Sequence, residues 1–302
     1  MQTIKSNKFH WIDIEQPNAE DTLFIKNKFD LHPIVAEEFC TPTLRPKAIE
    51  YDTCLYLAVH IPLFNEDSRT TYPSELDIAI TETALITSHD KNIQLLTDFF
   101  NELKTNTEKR EELMHESPAA LLRYIIEMLL ESCFPKLDHI SEKLDYIEKE
   151  IFDEHEKEMV LEISIAKRDI LNFRRTMKPQ RSVLESLAQK EFKLISHNLR
   201  PYFQDLIGTN IRIWNSLESA KETIESLEAT NNSLLSNKLN LTMKVLTIFS
   251  AIILPLTVYS NVMSMSVDIP FHTSHLAFWV HAGIMLLIAI FTFVIFRIKK
   301  WL

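Results

Sequence analysis

The sequence predicts an α+β membrane protein: a soluble α/β segment, a helical segment leading into one very long helix, and two C-terminal membrane spans. Three observations predict it. Stretches before residue 95 have the β-branched and aromatic content of strands, the pattern from Ile93 onward is helical, and two uncharged apolar segments lie in the last sixty residues. A mean hydropathy close to zero conceals this division, because the chain is charged up to about residue 240 and almost purely apolar after it.

The first segment is placed at residues 1–115. "AEDTLFIKNKF" reads as a short amphipathic helix, "CLYLAVHIPLF" and "ELDIAITETALITSH" as strands, and Pro33, Pro42 and Pro46 as loop punctuation. Residues 116–200 form the helical segment, with breaks expected near Ser117-Pro118, Pro135, Pro179 and Pro201. Within it, Asp138 to Glu158 holds nine carboxylates against three lysines. Two readings fit such a run: a solvated helix face, or an acidic surface that concentrates cations near a pore mouth. The solvated face is favoured, since nothing in the sequence places the run near a pore.

Residues 201–263 read as a single stalk helix that continues into the membrane. Ile213, Leu217, Ala220, Ile224, Leu227, Leu234, Leu241 and Val245 mark a heptad seam, interrupted by the polar Asn231 and Lys238. At roughly 1.5 Å per residue such a helix is about 95 Å long. A lone helix of that length cannot bury its seam, so it needs neighbours from its own chain or from copies of itself.

The two spans are Val245 to Met263, nineteen residues without a charge, and Leu276 to Phe296, twenty-one with His281 as the one titratable side chain. About 20 apolar residues cross the hydrocarbon core. Lys238 and Lys244 precede the first span and Arg297, Lys299 and Lys300 follow the second, while the loop 264–275 has no Lys or Arg. The positive-inside rule puts that loop outside and both termini, including the basic tail 297–302, in the cytoplasm. The N-terminus has no apolar h-region, so a multi-pass protein of the cell membrane without a cleaved signal peptide is expected.

Composition excludes several other classes. A net charge of −10 argues against a nucleic-acid partner and suits a protein that meets cations. Cys40, Cys54 and Cys133 are isolated, which indicates neither a disulfide framework nor a zinc ribbon. With Gly208 and Gly283 the only glycines, a P-loop or a dinucleotide turn is excluded. No catalytic constellation stands out, so no enzyme and no covalently bound cofactor is expected.

Polar residues in the first span are not scattered. Thr247, Ser250, Thr257, Asn261 and Ser264, with Leu254 completing the row, fall on one stripe. Small polar residues let membrane helices pack closely and hydrogen-bond across; alternatively, the stripe lines a water-filled path. Two spans per chain can enclose a path only as a ring of several chains. The seam independently demands oligomers, which favours the path.

The segments "MKVLT…LPLTVYSNVMSMSV" and "RIKKWL", flanking two C-terminal spans, resemble the CorA-type divalent-cation channel family. "WIDIEQPNAED", "LHPIVAEEF", "RPKAIEYDTCLYLAVH", "ELDIAITETALITSH", "SPAALLRYIIEMLLESCFPKLDHI" and "RPYFQDL" resemble its landmarks in the same order. The resemblance covers nearly the whole chain and implies a homopentameric funnel in the lipid bilayer, whose substrate, and possible regulator, is a divalent metal cation. It further implies that Met243, Leu246 and Leu254 form a hydrophobic constriction and that Asn240, Thr257 and Asn261 line the pore. Asp205 matches an acidic residue of the family's inter-subunit regulatory metal site, with Asp98 suggested as its partner.

The chain departs from the family at the outer end of the pore. Where the family carries Tyr-Gly-Met-Asn, this sequence has Met263-Ser264-Met265-Ser266. Magnesium dehydrates reluctantly and is held through its waters; serine hydroxyls reach less far than an amide and also donate. Selectivity is therefore expected to differ, with Asn261 taking over the polar ring. Asp268, His272 and His275 in the outer loop are either loop polarity or a capture site for zinc, nickel or cobalt. Three functions stay open: a pentameric channel of altered selectivity, a magnesium or cobalt transporter using serine rings, and a non-conducting membrane scaffold or sensor.

Overall fold

The structure, a computed structural model, describes residues 1–265 and 275–299, apart from the side chains of residues 275–277. It divides into two compact units, Met1–Ala229 and Thr230–Leu302. The segments that the sequence separates at residues 115 and 200 lie within the first of these.

The first unit is built on a six-stranded sheet: β1 (Gln2–Lys5), β2 (His10–Glu15), β3 (Lys47–Glu50), β4 (Leu55–Asn65), β5 (Thr70–Ile80) and β6 (Ala84–His89), in the order β1-β2-β6-β5-β4-β3. All neighbours are antiparallel except β2 and β6, which run parallel with Ile12 opposite Ile86. Two helices, α1 (Ala19–Phe29) and α2 (Pro33–Glu38), separate β2 from β3. Asn18 caps α1 by accepting from the amides of Glu20 and Asp21 at 2.9 Å, and Asp30 ends it in the left-handed region. Alternate strand residues Ile12, Ile14, Tyr56, Ala58, Ala79 and Ile86 share a core with Ile25, Val35 and Phe39 of this helical layer.

Further helices follow the sheet: α3 (Gln94–Thr105), α4 (Thr107–Leu113), α5 (Pro118–Glu131), α6 (Phe134–Phe152) and α7 (Glu156–Gln189). Trp11, on the face opposite Ile12, packs edge-on against Phe100 of α3 with ring centroids 4.8 Å apart. A strand buried on both faces reads as a continuous apolar run, which is why β4 and β6 lack clean alternation.

The long β4–β5 hairpin overshoots its neighbours, and α7, with Lys136 of α6, covers what is left open. β3 pairs only with Leu55 to Ala58, so the outer edge of β4 would leave carbonyls exposed beyond that point. Gln180 Nε2 donates to the His60 carbonyl at 2.5 Å, and Lys136 Nζ to the Pro62 carbonyl at 2.7 Å. On the far side β6 stops opposite Leu76; the Thr71 amide donates to Asp169 at 2.5 Å and its carbonyl accepts from Asn172 at 3.0 Å. Each side chain satisfies a backbone group that would otherwise be buried unpaired. Arg69, at the hairpin tip, grips Glu162 with both terminal nitrogens, and Lys143 joins them. The Arg69 hydrogen bonds, then those of Lys143, hold the Glu162 carboxyl down to about 2.

Pro179 does not break α7, contrary to the expectation from sequence. It lies inside the helix, where it removes one backbone donor. Met177, Gln180, Val183 and Leu184 around it are buried, so tertiary packing outweighs the local penalty. The breaks at Pro118, Pro135 and Pro201 do occur, since each proline lies in the first turn of a helix, where a missing donor costs nothing. In α6 the residues Leu137, Ile140, Leu144, Ile147 and Ile151 are buried and the carboxylates Asp138, Glu142, Asp145 and Glu148 are exposed, which makes that part of the acidic run a solvated face.

After a short 3-10 turn (His197–Leu199), α8 runs without interruption from Arg200 to Met263, through Pro255. Its first thirty residues pack antiparallel to α7. Lys167 pairs with Glu228 at 2.5 Å, Arg174 with Glu218, and the Arg174 guanidinium lies over the Trp214 ring at 4.9 Å. Ile213, Leu217, Ala220, Ile224 and Leu227 are buried within the first unit, so the chain itself closes that half of the seam. Further along, Leu241 and Val245 are exposed. Burial along the seam continues to Asn231, and the apolar positions Leu241 and Val245 are left open in the single chain. Leu227→Asp should lower the stability of the subunit by about 3 kcal/mol or more, the cost of burying an unpaired charge. Leu241→Asp should leave thermal unfolding of the soluble unit unchanged and disperse the oligomer in detergent. Thermal unfolding and elution volume, measured on both variants, check this; equal loss of stability in the two would contradict it.

Candidate functional site

The membrane-spanning unit holds the end of α8 and all of α9 (His275–Ile298), both long and apolar enough to cross a bilayer. Their burial is one-sided. On α8, Ile248, Ala251, Ile252, Pro255, Tyr259 and Met263 are half-buried at heptad spacing; on α9, His281, Met285, Ile288, Thr292 and Phe296 are. Tyr259 and His281 join these faces, with the hydroxyl oxygen 2.7 Å from Nδ1.

The polar stripe lies on the opposite side of α8. Thr247, Ser250, Leu254, Thr257, Asn261 and Ser264 are all exposed, as are Asn240, Met243 and Leu246 at its inner end. At about 100° per residue, Thr257 and Asn261 point some 200° away from Tyr259. α9 therefore does not cover the stripe, and the small polar residues are not the glue between the chain's own two spans. Met243, Leu246 and Leu254 are 59%, 56% and 65% exposed, too apolar a row to face water alone.

Three hydroxyls of the stripe return their protons to their own helix. Thr247 donates to the Met243 carbonyl at 2.7 Å, Thr257 to the Ile253 carbonyl at 3.0 Å, and Ser264 to the Asn261 carbonyl at 2.9 Å. A hydroxyl whose proton is returned to its own helix has only lone pairs left to offer outward. Such a row accepts hydrogen bonds, as the water shell of a cation requires. Met265 is exposed just past the end of α8. Ser266, Asp268 and His272 lie outside the described residues; His275 opens α9, and its side chain lies outside them as well.

Asp205, in the first turns of α8, and Asp98, in α3, are both exposed. Asp98 accepts from Gln94 Nε2 at 2.7 Å and borders a groove of about 650 Å³ with Glu102, Lys109 and Glu112. Among the described residues of the single chain, no three His, Cys, Asp or Glu side chains converge to hold a metal ion. The sequence missed a buried acid on β5. Tyr56 donates to Asp77 at 2.6 Å, and burial pushes the Asp77 carboxyl up to about 8. Strand alternation alone could not flag it, because Asp77 sits at an inward position among apolar residues.

Comparison with known proteins extends these observations over the whole chain. The cobalt/magnesium transport protein CorA of Thermotoga maritima is 26% identical over 295 residues, covering 97% of this chain and 83% of that protein. The zinc transport protein ZntB of Yersinia enterocolitica is 18% identical over 275 residues, covering 89% of this chain and 80% of that protein. The complete structure of the CorA magnesium transporter of Methanocaldococcus jannaschii superposes with a TM-score of 0.85 at 21% identity, over 99% of this chain and 93% of that one. The model of the CorA-like Mg2+ transporter protein family matches residues 6–300. The fold, the two apolar C-terminal helices and this match together show that the chain belongs to the CorA-like Mg2+ transporter family.

Proposed function

We propose that the chain forms a homopentameric channel for divalent metal cations, in which the polar stripe of α8 lines the pore and Asn261 supplies its principal polar ring. One observation carries this reading. The stripe is left uncovered by α9, and the hydroxyls of Thr247, Thr257 and Ser264 turn their lone pairs outward. Copies of the chain arranged around an axis would bring these acceptors onto a common water-filled path. Both termini are then cytoplasmic and the protein resides in the cell membrane, in keeping with the basic residues beside the two spans.

Asn261 lies five residues before Ser266 in the sequence, near the outer end of α8. Five amides there would hold a hydrated cation through its waters, with Thr257 one turn inward and Ser264 one turn outward. Met243 and Leu246 form apolar rings at the inner end that block conduction by excluding water, and Leu254 a further constriction between them and the amides. Magnesium, cobalt and zinc are the candidate substrates, since the named relatives transport them. A second reading keeps cobalt or magnesium selectivity with serine rings; the higher identity to the Thermotoga cobalt/magnesium protein than to the zinc protein favours it.

Flux of magnesium, cobalt, nickel, zinc and sodium into proteoliposomes tests the function. Asn261→Leu should reduce divalent flux to the level of empty vesicles with assembly intact, and Ser266→Ala should have a much smaller effect. Leu246→Asp should add a leak in the same assay. Normal conduction by Asn261→Leu together with a dead Ser266→Ala would return the ring to the serines, and a wild type that passes no ion would leave a scaffold or sensor.

Asp205 and Asp98 are proposed as a regulatory divalent-cation site shared between neighbouring subunits, where exposed carboxylates of two chains could meet. A divalent ion bound there would favour the closed state. Asp205→Ala should then raise flux at high cytoplasmic magnesium and weaken the protection magnesium gives against proteolysis. An unchanged response in both measurements would remove the site.

A further inference from the structure

We infer that Tyr259 and His281 form a latch that sets the rotation of the outer end of α8, and thereby aims Asn261 into the conducting path; this rests on the pore function proposed above. Two features leave that rotation otherwise free. The contact between the spans is apolar around the pair, with Ala251, Ile252 and Pro255 on α8 and Met285 and Ile288 on α9. Apolar side chains in lipid gain little from one rotation over another, because the hydrocarbon is as apolar as they are. Pro255, four residues before Tyr259, has no amide to bond the Ala251 carbonyl, so the helix is weakened in the turn Ala251–Pro255, just inward of Tyr259 and Asn261.

A directional bond supplies what the apolar contact lacks. A side-chain hydrogen bond joins α8 to α9, between the Tyr259 hydroxyl and His281 Nδ1 at 2.7 Å. His281 Nε2 is buried and has no other partner, so the ring depends on the tyrosine for the bond it makes. Because Tyr259 and Asn261 are about 200° apart on the helix, holding the phenol against α9 turns the amide away from it. Both residues are positioning groups; neither lies on the stripe.

The test uses full-length protein in proteoliposomes with Cys40, Cys54 and Cys133 replaced. Asn261→Cys and, separately, Val262→Cys are labelled with a charged, water-soluble thiol reagent. With Tyr259 present, position 261 should react faster than 262. Adding Tyr259→Phe should shrink that ratio roughly threefold to tenfold, the range an interhelical hydrogen bond in a membrane is worth. His281→Leu should act likewise, the double variant should do no more than either single one, and His281→Asn, which keeps an acceptor, should restore much of the ratio. A role confined to stability would lower the yield of assembled protein and leave the ratio unchanged. An unchanged ratio in Tyr259→Phe, in protein whose Asn261-containing parent conducts, overturns the latch alone. A parent that conducts no cation overturns the pore function and the latch with it.

Discussion

A helix of 64 residues with a largely apolar seam, broken at Asn231 and Lys238, is the constraint on which the rest of the structure depends. Helices of that length are not stable through propensity alone and need an apolar face covered along their course. In the first unit α7 provides the cover, and the polar side chains of α7 in turn fasten it to the open edges of the β4–β5 hairpin. Beyond Leu227 the cover changes in kind. α9 takes one side of the membrane portion, and the opposite side, with its polar stripe, stays open. A single chain therefore carries an unsatisfied surface along the segment that crosses the membrane.

That surface differs from an ordinary lipid-facing one. Lipid would accept leucine throughout, yet the stripe places a hydroxyl or amide about every turn, with Leu254 as its apolar member between Ser250 and Thr257. The protons of Thr247, Thr257 and Ser264 return to the helix, so these three hydroxyls offer acceptors outward, and the Asn261 amide adds both an acceptor and donors. Such acceptors suit the waters around a cation, whose hydrogens point outward. Among the described residues of the stripe, the longest polar side chain is that of Asn261, on the last turns of α8.

Much of the architecture was legible in the sequence where local chemistry and tertiary packing agree. The helix over "AEDTLFIKNKF" has a capping asparagine before it and a turn after it, and the structure places it over those residues. The two spans were legible because length and absence of charge decide them. The four-residue strands β1 and β3 were not, since such short runs carry no periodic signal. Pro179 misled because its local cost is overcome by contacts distant in sequence. Heptad spacing identified the buried side of α8 but not its cover, which is α7 for Ile213 to Leu227. The stripe was visible as a pattern; that α9 lies on the other side required Tyr259 and His281 in three dimensions.

The central claim is that copies of the chain meet through the stripe around one axis. Disulfide formation between copies tests it most directly, because two cysteines bridge only when their Cβ atoms come within about 4 Å. In a background without Cys40, Cys54 and Cys133, Leu254→Cys and Ile252→Cys place a thiol on the open and the α9-facing sides respectively. Oxidation in the membrane should yield covalent dimers from Leu254→Cys and none from Ile252→Cys. Dimers from Ile252→Cys with none from Leu254→Cys would place the contact between copies on the other face and contradict the account.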